Sequence, residues 1–219
     1  MRCEPPLPAL PLARARRPVP LLVTSSLSLV GSHRRRRRRR RPQIMQMKGA
    51  ELAPQLAEAL KGNSTCSDLN LTGCNLDDGM VEPLAAALAT NSTLTSLNLE
   101  ANKVNNDGAV MISTALKTNR SLLTLNLLNQ KGTRFGDTTL GEITQTLETS
   151  NVTLLKIIWR LESRQSFRLT KMLTRNNDID RRIKTGKEYE SLMPEGALPF
   201  TPAMLAQVRR TPSLLLPSS

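Results

Sequence analysis

The sequence predicts an α/β solenoid, with a curved parallel sheet inside, helices outside, and termini without order at both ends. Three observations predict it. The string Asn-[Ser/Arg]-[Ser/Thr] recurs at Asn63, Asn91 and Asn119, 28 residues apart, and a looser copy, Asn-Val-Thr, begins at Asn151. Each copy places apolar residues at its fourth, seventh and ninth positions: Cys66, Leu69, Leu71; Leu94, Leu97, Leu99; Leu122, Leu125, Leu127; and Leu154, Ile157, Trp159. Downstream of each, apolar residues follow eight and then four apart: Leu76, Leu84, Leu88; Val104, Ile112, Leu116; Phe135, Ile143, Leu147; and Leu161, Leu169, Leu173. All 24 positions are apolar, where a composition 39% hydrophobic would place about 9.

The two halves of a unit have different periods. Leu-x-Leu alternates side chains across a short strand, whereas spacings of four and eight lay a stripe along a helix. A lone unit cannot bury both faces, so the units must stack, strands beside strands. In chain order, residues 1 to 46 are Pro- and Arg-rich and are expected to lack order, with 19 to 30 a weak targeting segment behind Arg14, Arg16 and Arg17. Residues 48 to 61 align with the helix half of a unit, since Leu52, Leu56 and Leu60 fall 28 before Met80, Leu84 and Leu88. No strand half is evident ahead of it, so it is either an N-terminal cap or the remnant of repeats lying upstream. Four units follow from Asn63. The last is shortened between Trp159 and Leu161, and residues 174 to 187 read as a basic cap, giving a folded body from 47 to 187. Residues 188 to 219, with five Pro, are expected to form a disordered tail.

The pattern L-x-x-L-x-L-x-x-[NC]-x-L appears as Leu94, Leu97, Leu99, Asn102 and Val104. It resembles the 28-residue leucine-rich repeat of the ribonuclease-inhibitor kind. The ladder position after the third apolar residue holds Cys74, Asn102, Gln130 and Glu162, whose side chains would meet backbone groups left open where each strand turns.

A narrower resemblance lies in the second half. A strand ending in Asn129 and Gln130, a longer loop (KGTRFGD), a helix closing on Leu147 and Glu148, the run Thr153 to Lys156, the aromatic Trp159, and a basic helix through Asn176 to Asp178 with Arg181, Arg182 and Lys184 look like the C-terminal leucine-rich domain of the tropomodulin and leiomodin family. The resemblance implies a non-catalytic, cytoplasmic and cytoskeletal module that binds actin and contributes to capping the pointed end of the filament. In that family the domain works with an N-terminal half that binds tropomyosin. Residues 1 to 46 contain no heptads or amphipathic helix, so tropomyosin binding is not implied here.

Charge gives an independent, coarser argument. The net charge is +13, from 31 Lys and Arg against 18 Asp and Glu, but 12 Arg and only Glu4 lie in residues 1 to 43, so the remainder is nearly neutral. Within the body, residues 47 to 149 carry 7 bases and 11 acids, and residues 150 to 187 carry 10 bases and 3 acids. A basic terminal end suits an acidic partner, for which actin, nucleic acid or an anionic membrane all qualify, and it is also what a solvated terminal helix shows. With the resemblance, it nominates Lys156, Arg160, Arg164, Arg168, Asn176, Asn177, Asp178, Arg181, Arg182 and Lys184 as protein-binding residues. The strand residues facing away from the core, Asp68, Asn70, Ser96, Asn98, Thr124 and Asn126, nominate a concave face.

The remaining features narrow the class. Aromatics make up 2% of the chain, too few for a base-stacking platform, and no apolar run reaches the length of a membrane span. The single His, His33, leaves the body without a His-based triad or metal cluster, so no catalytic, cofactor or metal site is expected. Cys66 and Cys74 are expected to be reduced and buried. The run Arg34 to Arg41 is the one feature through which nucleic acid would bind. A generic repeat scaffold with another protein partner, or an Arg-tail nucleic-acid binder, are the competing readings. The four Asn-x-Ser/Thr strings match glycosylation acceptors, but their fixed phase favours a structural role in closing the preceding helix through a left-handed or turn conformation.

Overall fold

Leu-x-Leu in consecutive units fixes the register of the sheet directly. The computed structural model describes residues 26–28, 49–132, 135–160 and 166–210. Its elements run β1 (Ser26–Ser28), α1 (Gly49–Lys61), β2 (Asp68–Asn70), α2 (Asp78–Thr90), β3 (Ser96–Asn98), α3 (Asn106–Leu116), β4 (Thr124–Asn126), α4 (Asp137–Thr149), β5 (Lys156–Ile158), α5 (Ser166–Thr185), a 3-10 turn (Glu190–Leu192) and α6 (Pro202–Arg210). The five strands lie in chain order and pair in parallel. Leu69 sits opposite Leu97, Leu97 opposite Leu125, and Leu125 opposite Ile157, so the sequence period is the sheet register. This is a leucine-rich-repeat solenoid.

One core runs through the stack. Every described stripe position is buried except Phe135, Ile157, Trp159 and Leu173, which are half-buried and pack against it; Leu161 lies outside the described residues. Phe135 and Trp159 meet at 4.5 Å between ring centroids, closing the core beside the longer loop before α4. The helix starts are tied together as well. Asp78 Oδ1 accepts from Asn105 N at 2.7 Å, and Asn106 Oδ1 accepts from Gly136 N at 2.9 Å and Thr139 Oγ1 at 2.8 Å.

The ladder acts as its position requires. Asn102 is 0% exposed; its Nδ2 donates to the carbonyls of Leu71 and Leu99, and its Oδ1 accepts from Leu76 N at 3.1 Å. Gln130 repeats this one unit on, donating to Leu99 O and accepting from Val104 N. Cys74 reaches Thr72 O at 3.9 Å, a weak donor in a strong donor's place. Its thiol is half-buried and Cys66 is buried, both reduced, and burial pushes the Cys74 thiol pKa up. Glu162 lies outside the described residues. The turn after each strand passes through the left-handed region at Gly73, Ala101 and Asn129, again 28 apart.

A second ladder, at the strand entrances, explains the Asn strings. Asn91, Asn119 and Asn151 are buried, and their side-chain amides donate to Leu60 O, Leu88 O and Leu116 O, the last turns of the helices one unit back. Each Oδ1 accepts from the two backbone amides that open the next strand segment. The expected left-handed or turn closure is not what occurs at Asn91: its backbone is extended (φ −71, ψ 132), and the side chain bridges to the previous unit. The nitrogen that would carry a glycan is thus already committed inside the protein.

Three further expectations are corrected. Residues 26–28, placed in a segment expected to lack order, form β1 in parallel register with β2, Leu27 opposite Leu69. The strand escaped notice because Leu27 precedes Leu69 by 42 residues, not 28. The last repeat helix and the cap are not separate pieces but one continuous 20-residue helix, α5. Residues 188–210, expected to be disordered, fold onto α5 through Tyr189, Leu192, Met193, Phe200, Leu205 and Val208, which gather around Val152, Ile179 and Ile183. Tyr189 and Phe200 pack edge to face at 5.7 Å. The Pro count that suggested disorder concealed enough apolar residues to cover the end of the stack.

Candidate protein-interaction surface

Burial and pairing separate the nominated residues into three groups. The first is structural. Asn176 is 0% exposed and donates to Asn151 O and Leu154 O, which makes it the next rung of the entrance ladder. Asn177 donates to Leu155 O and Leu173 O. Lys184 is 14% exposed and holds Asp180 at 2.7 Å. On the concave side, Asn126 is buried, with its amide on Glu100 Oε2 and its oxygen receiving Leu128 N. Asn126 and Asn176 are buried and Asn177 and Lys184 half-buried, and all four are engaged in holding the fold.

The second group is exposed or half-buried and paired within the chain. Arg168 donates to Glu148 at 2.8 and 2.9 Å, joining α5 to the end of α4. Asp178 takes bonds from Arg181 and, at 3.0 Å, from Arg182. The hydrogen bond from Arg181 is the main cause holding the Asp178 carboxyl below its usual pKa. Arg182 also donates to Glu188 O. Such solvent-facing pairs are weak, so their cations stay available to a better acceptor.

The third group is exposed, with no ion pair among the described residues: Lys156 on β5 and Arg160 just beyond it. Arg164 lies outside the described residues, as does Arg34 to Arg41. Asp68 is exposed, and Asn70, Ser96, Asn98 and Thr124 are half-buried along the concave face. Asn70 and Asn98 also close the turns after their strands, their Oδ1 atoms accepting from Thr72 N and Glu100 N.

Two residues were missed by the sequence reading. Arg175 reaches back to the carbonyls of Leu147 and Glu148, capping the C-terminal end of α4 with a positive charge. Burial lowers its pKa and the Glu148 charge opposes that shift. Glu100 holds both Asn126 and Asn129, at 3.2 and 3.0 Å, and sets the concave rim. Its spacing of 26 and 29 from them, near the repeat length, was the available signal.

No group of His, Cys, Asp and Glu that would hold a metal occurs among the described residues, and no described helix is long and apolar enough to cross a membrane.

A stacked-repeat fold with a basic, side-chain-rich end defines a leucine-rich-repeat protein. The family model described as the TMOD/LMOD leucine-rich domain matches residues 45–179, and the chain belongs to that tropomodulin and leiomodin family. Among solved structures, it is similar to one described as leiomodin-1 actin-binding site 2, with 28% identity and a TM-score of 0.64, covering 74% of this chain and 86% of that one. It also shares its fold with the tropomodulin C-terminal domain of Caenorhabditis elegans, at 20% identity and a TM-score of 0.61, covering 66% of this chain and 86% of that one. A search of curated proteins finds no match.

Proposed function

We propose that this chain is a non-catalytic protein-interaction module that binds actin in the cytoplasm and acts on the pointed end of the filament. The observation that carries the reading is the likeness to a leiomodin segment described as an actin-binding site, which this chain matches over 86% of that segment's length. The basic end of the solenoid is the contact surface, with Lys156 and Arg160 as cations that have no ion pair among the described residues and Arg168, Arg181 and Arg182 as cations that exchange an internal acid for one on actin.

The test is pointed-end elongation of filaments with blocked barbed ends, together with cosedimentation, using the full chain. The wild type is expected to slow elongation at micromolar concentration. Changing Lys156 and Arg160 together to Glu is expected to weaken the effect roughly tenfold, and added salt to weaken it further. Wild-type inactivity at high concentration overturns the actin reading in favour of a scaffold with another protein partner. Unchanged activity of the double variant moves the contact elsewhere on the solenoid.

A further inference from the structure

The tail that covers the end of the stack carries a motif that the interaction surface leaves unused. Residues 199–202 read Pro-Phe-Thr-Pro, a threonine followed directly by one proline and preceded two places earlier by another. The stretch 198–201 belongs to no helix, strand or turn, and α6 begins at Pro202. A residue before proline is pushed out of helical geometry, so Pro199 and Pro202 hold Leu198 and Thr201 in extended backbone. Burial alternates along it. Pro199, Thr201 and Pro202 are exposed, while Phe200 between them is half-buried and packs edge to face on Tyr189 at 5.7 Å. The segment is thus anchored through Phe200 and displays the residues on either side of it.

The Thr201 hydroxyl also differs from other exposed hydroxyls of the chain. Those of Thr170, Thr174 and Thr185 lie within α5 and donate to its carbonyls, Ser166 O, Thr170 O and Arg181 O. Thr201 Oγ1 instead accepts Met204 N at 3.3 Å, capping the first turn of α6, and donates to no acceptor among the described residues. No helix has to unwind for a reagent to reach this oxygen.

We propose that Thr201 is a phosphorylation site for a proline-directed protein kinase, with ATP as the phosphoryl donor. Thr201 Oγ1 forms a bond to the γ-phosphorus of ATP, the bond from that phosphorus to the bridging oxygen breaks, and ADP departs. The hydroxyl proton passes to a base of the kinase. A kinase pocket for the residue after the acceptor takes proline because the ring brings no N–H to be buried unpaired. The product carries close to two negative charges at the first turn of α6, where the positive end of the helix favours them. Phosphorylation therefore fastens α6, and with it the tail that packs on Val152, Ile179 and Ile183. This site is independent of whether the chain binds actin.

The probe is a recombinant mitogen-activated protein kinase with ATP, acting on the full folded chain, with the modified residues mapped by mass spectrometry. Phosphate is expected on Thr201, at a rate comparable with that of a peptide of residues 196–208. Thr201→Ser is expected to keep the labelling and Pro202→Ala to remove it, although both variants retain a hydroxyl at 201. The other Thr-Pro pair of the sequence, Thr211-Pro212, lies outside the described residues and is the internal comparison. In the unmutated protein, phosphorylation is expected to slow proteolytic cleavage within 188–210 roughly threefold, a readout that depends on no variant. Absence of phosphate on Thr201 of the folded chain, labelling that survives Pro202→Ala, or cleavage that is unchanged or faster overturns the proposal.

Discussion

Asn119 closes four backbone groups that water does not reach. Its amide donates to Leu88 O at 2.7 Å and Asn91 O at 2.9 Å, and its carbonyl receives Ser121 N at 3.1 Å and Leu122 N at 2.8 Å. It is 1% exposed, so nothing replaces those bonds when the side chain is removed. Truncating one buried partner leaves each of the others with a desolvation penalty, on the order of 1 to 3 kcal/mol per group and not fully additive. Asn119→Ala is expected to cost roughly 3 kcal/mol or more in urea unfolding. Asn63 occupies the same phase at the start of the series, but it is half-buried and its amide only reaches forward to Cys66 O. Asn63→Ala is expected to cost about 1 kcal/mol. Equal losses at the two positions would mean that the bridge to the previous unit contributes nothing, leaving only the local turn.

At the scale of elements, the segment after α5 is held by packing that a single methyl group can disturb. A Cβ built on Gly196 would lie 2.6 Å from the backbone carbonyl oxygen of Thr149, at the end of α4. Backbone cannot move aside as a flexible side chain can, so Gly196→Ala is expected to lift the tail from α4. The measurement is limited proteolysis: cleavage within 188–210 should quicken several-fold while the repeats stay intact. Cleavage at the wild-type rate would show that the tail is held by the Tyr189 and Phe200 cluster alone. The repeat elements β2 to β5 and α1 to α4 were legible because their leucines recur with one period, and the ladder because its polar residues share it. β1 was hidden by a 42-residue spacing, and the tail because Tyr189, Leu192, Phe200 and Leu205 follow no period at all. The site was legible as a basic end, but its pairing only in part. Asp178 with Arg182 and Asp180 with Lys184 lie four apart, a spacing that on a helix predicts contact. Arg168 with Glu148 joins two helices 20 residues apart, which no local spacing reveals.

At the scale of the molecule, stability is carried by neighbours. Each strand pairs only with the next, and each helix packs against the helices on either side, so an inner unit is supported on two faces and an end unit on one. The ends differ. At the C-terminal end, α5 and α6 cover the core, and the entrance ladder continues through Asn176. At the other, the side chain of Asn63, the first Asn of the series, bonds only within its own turn. Opening should therefore begin at the N-terminal side and be hardest in the middle. Hydrogen exchange is expected to rank the amides of β3, β4 and α3 slowest, those of α5 next, and those of α1 and α6 fastest, with protection falling stepwise by unit. The basis is the sum of intrinsic unit stabilities and shared interfaces, not the composition of any one unit, since the buried leucines are nearly the same in each. Uniform protection from α1 to α5 would instead mean that the solenoid opens all at once, and the nearest-neighbour account would have to be given up.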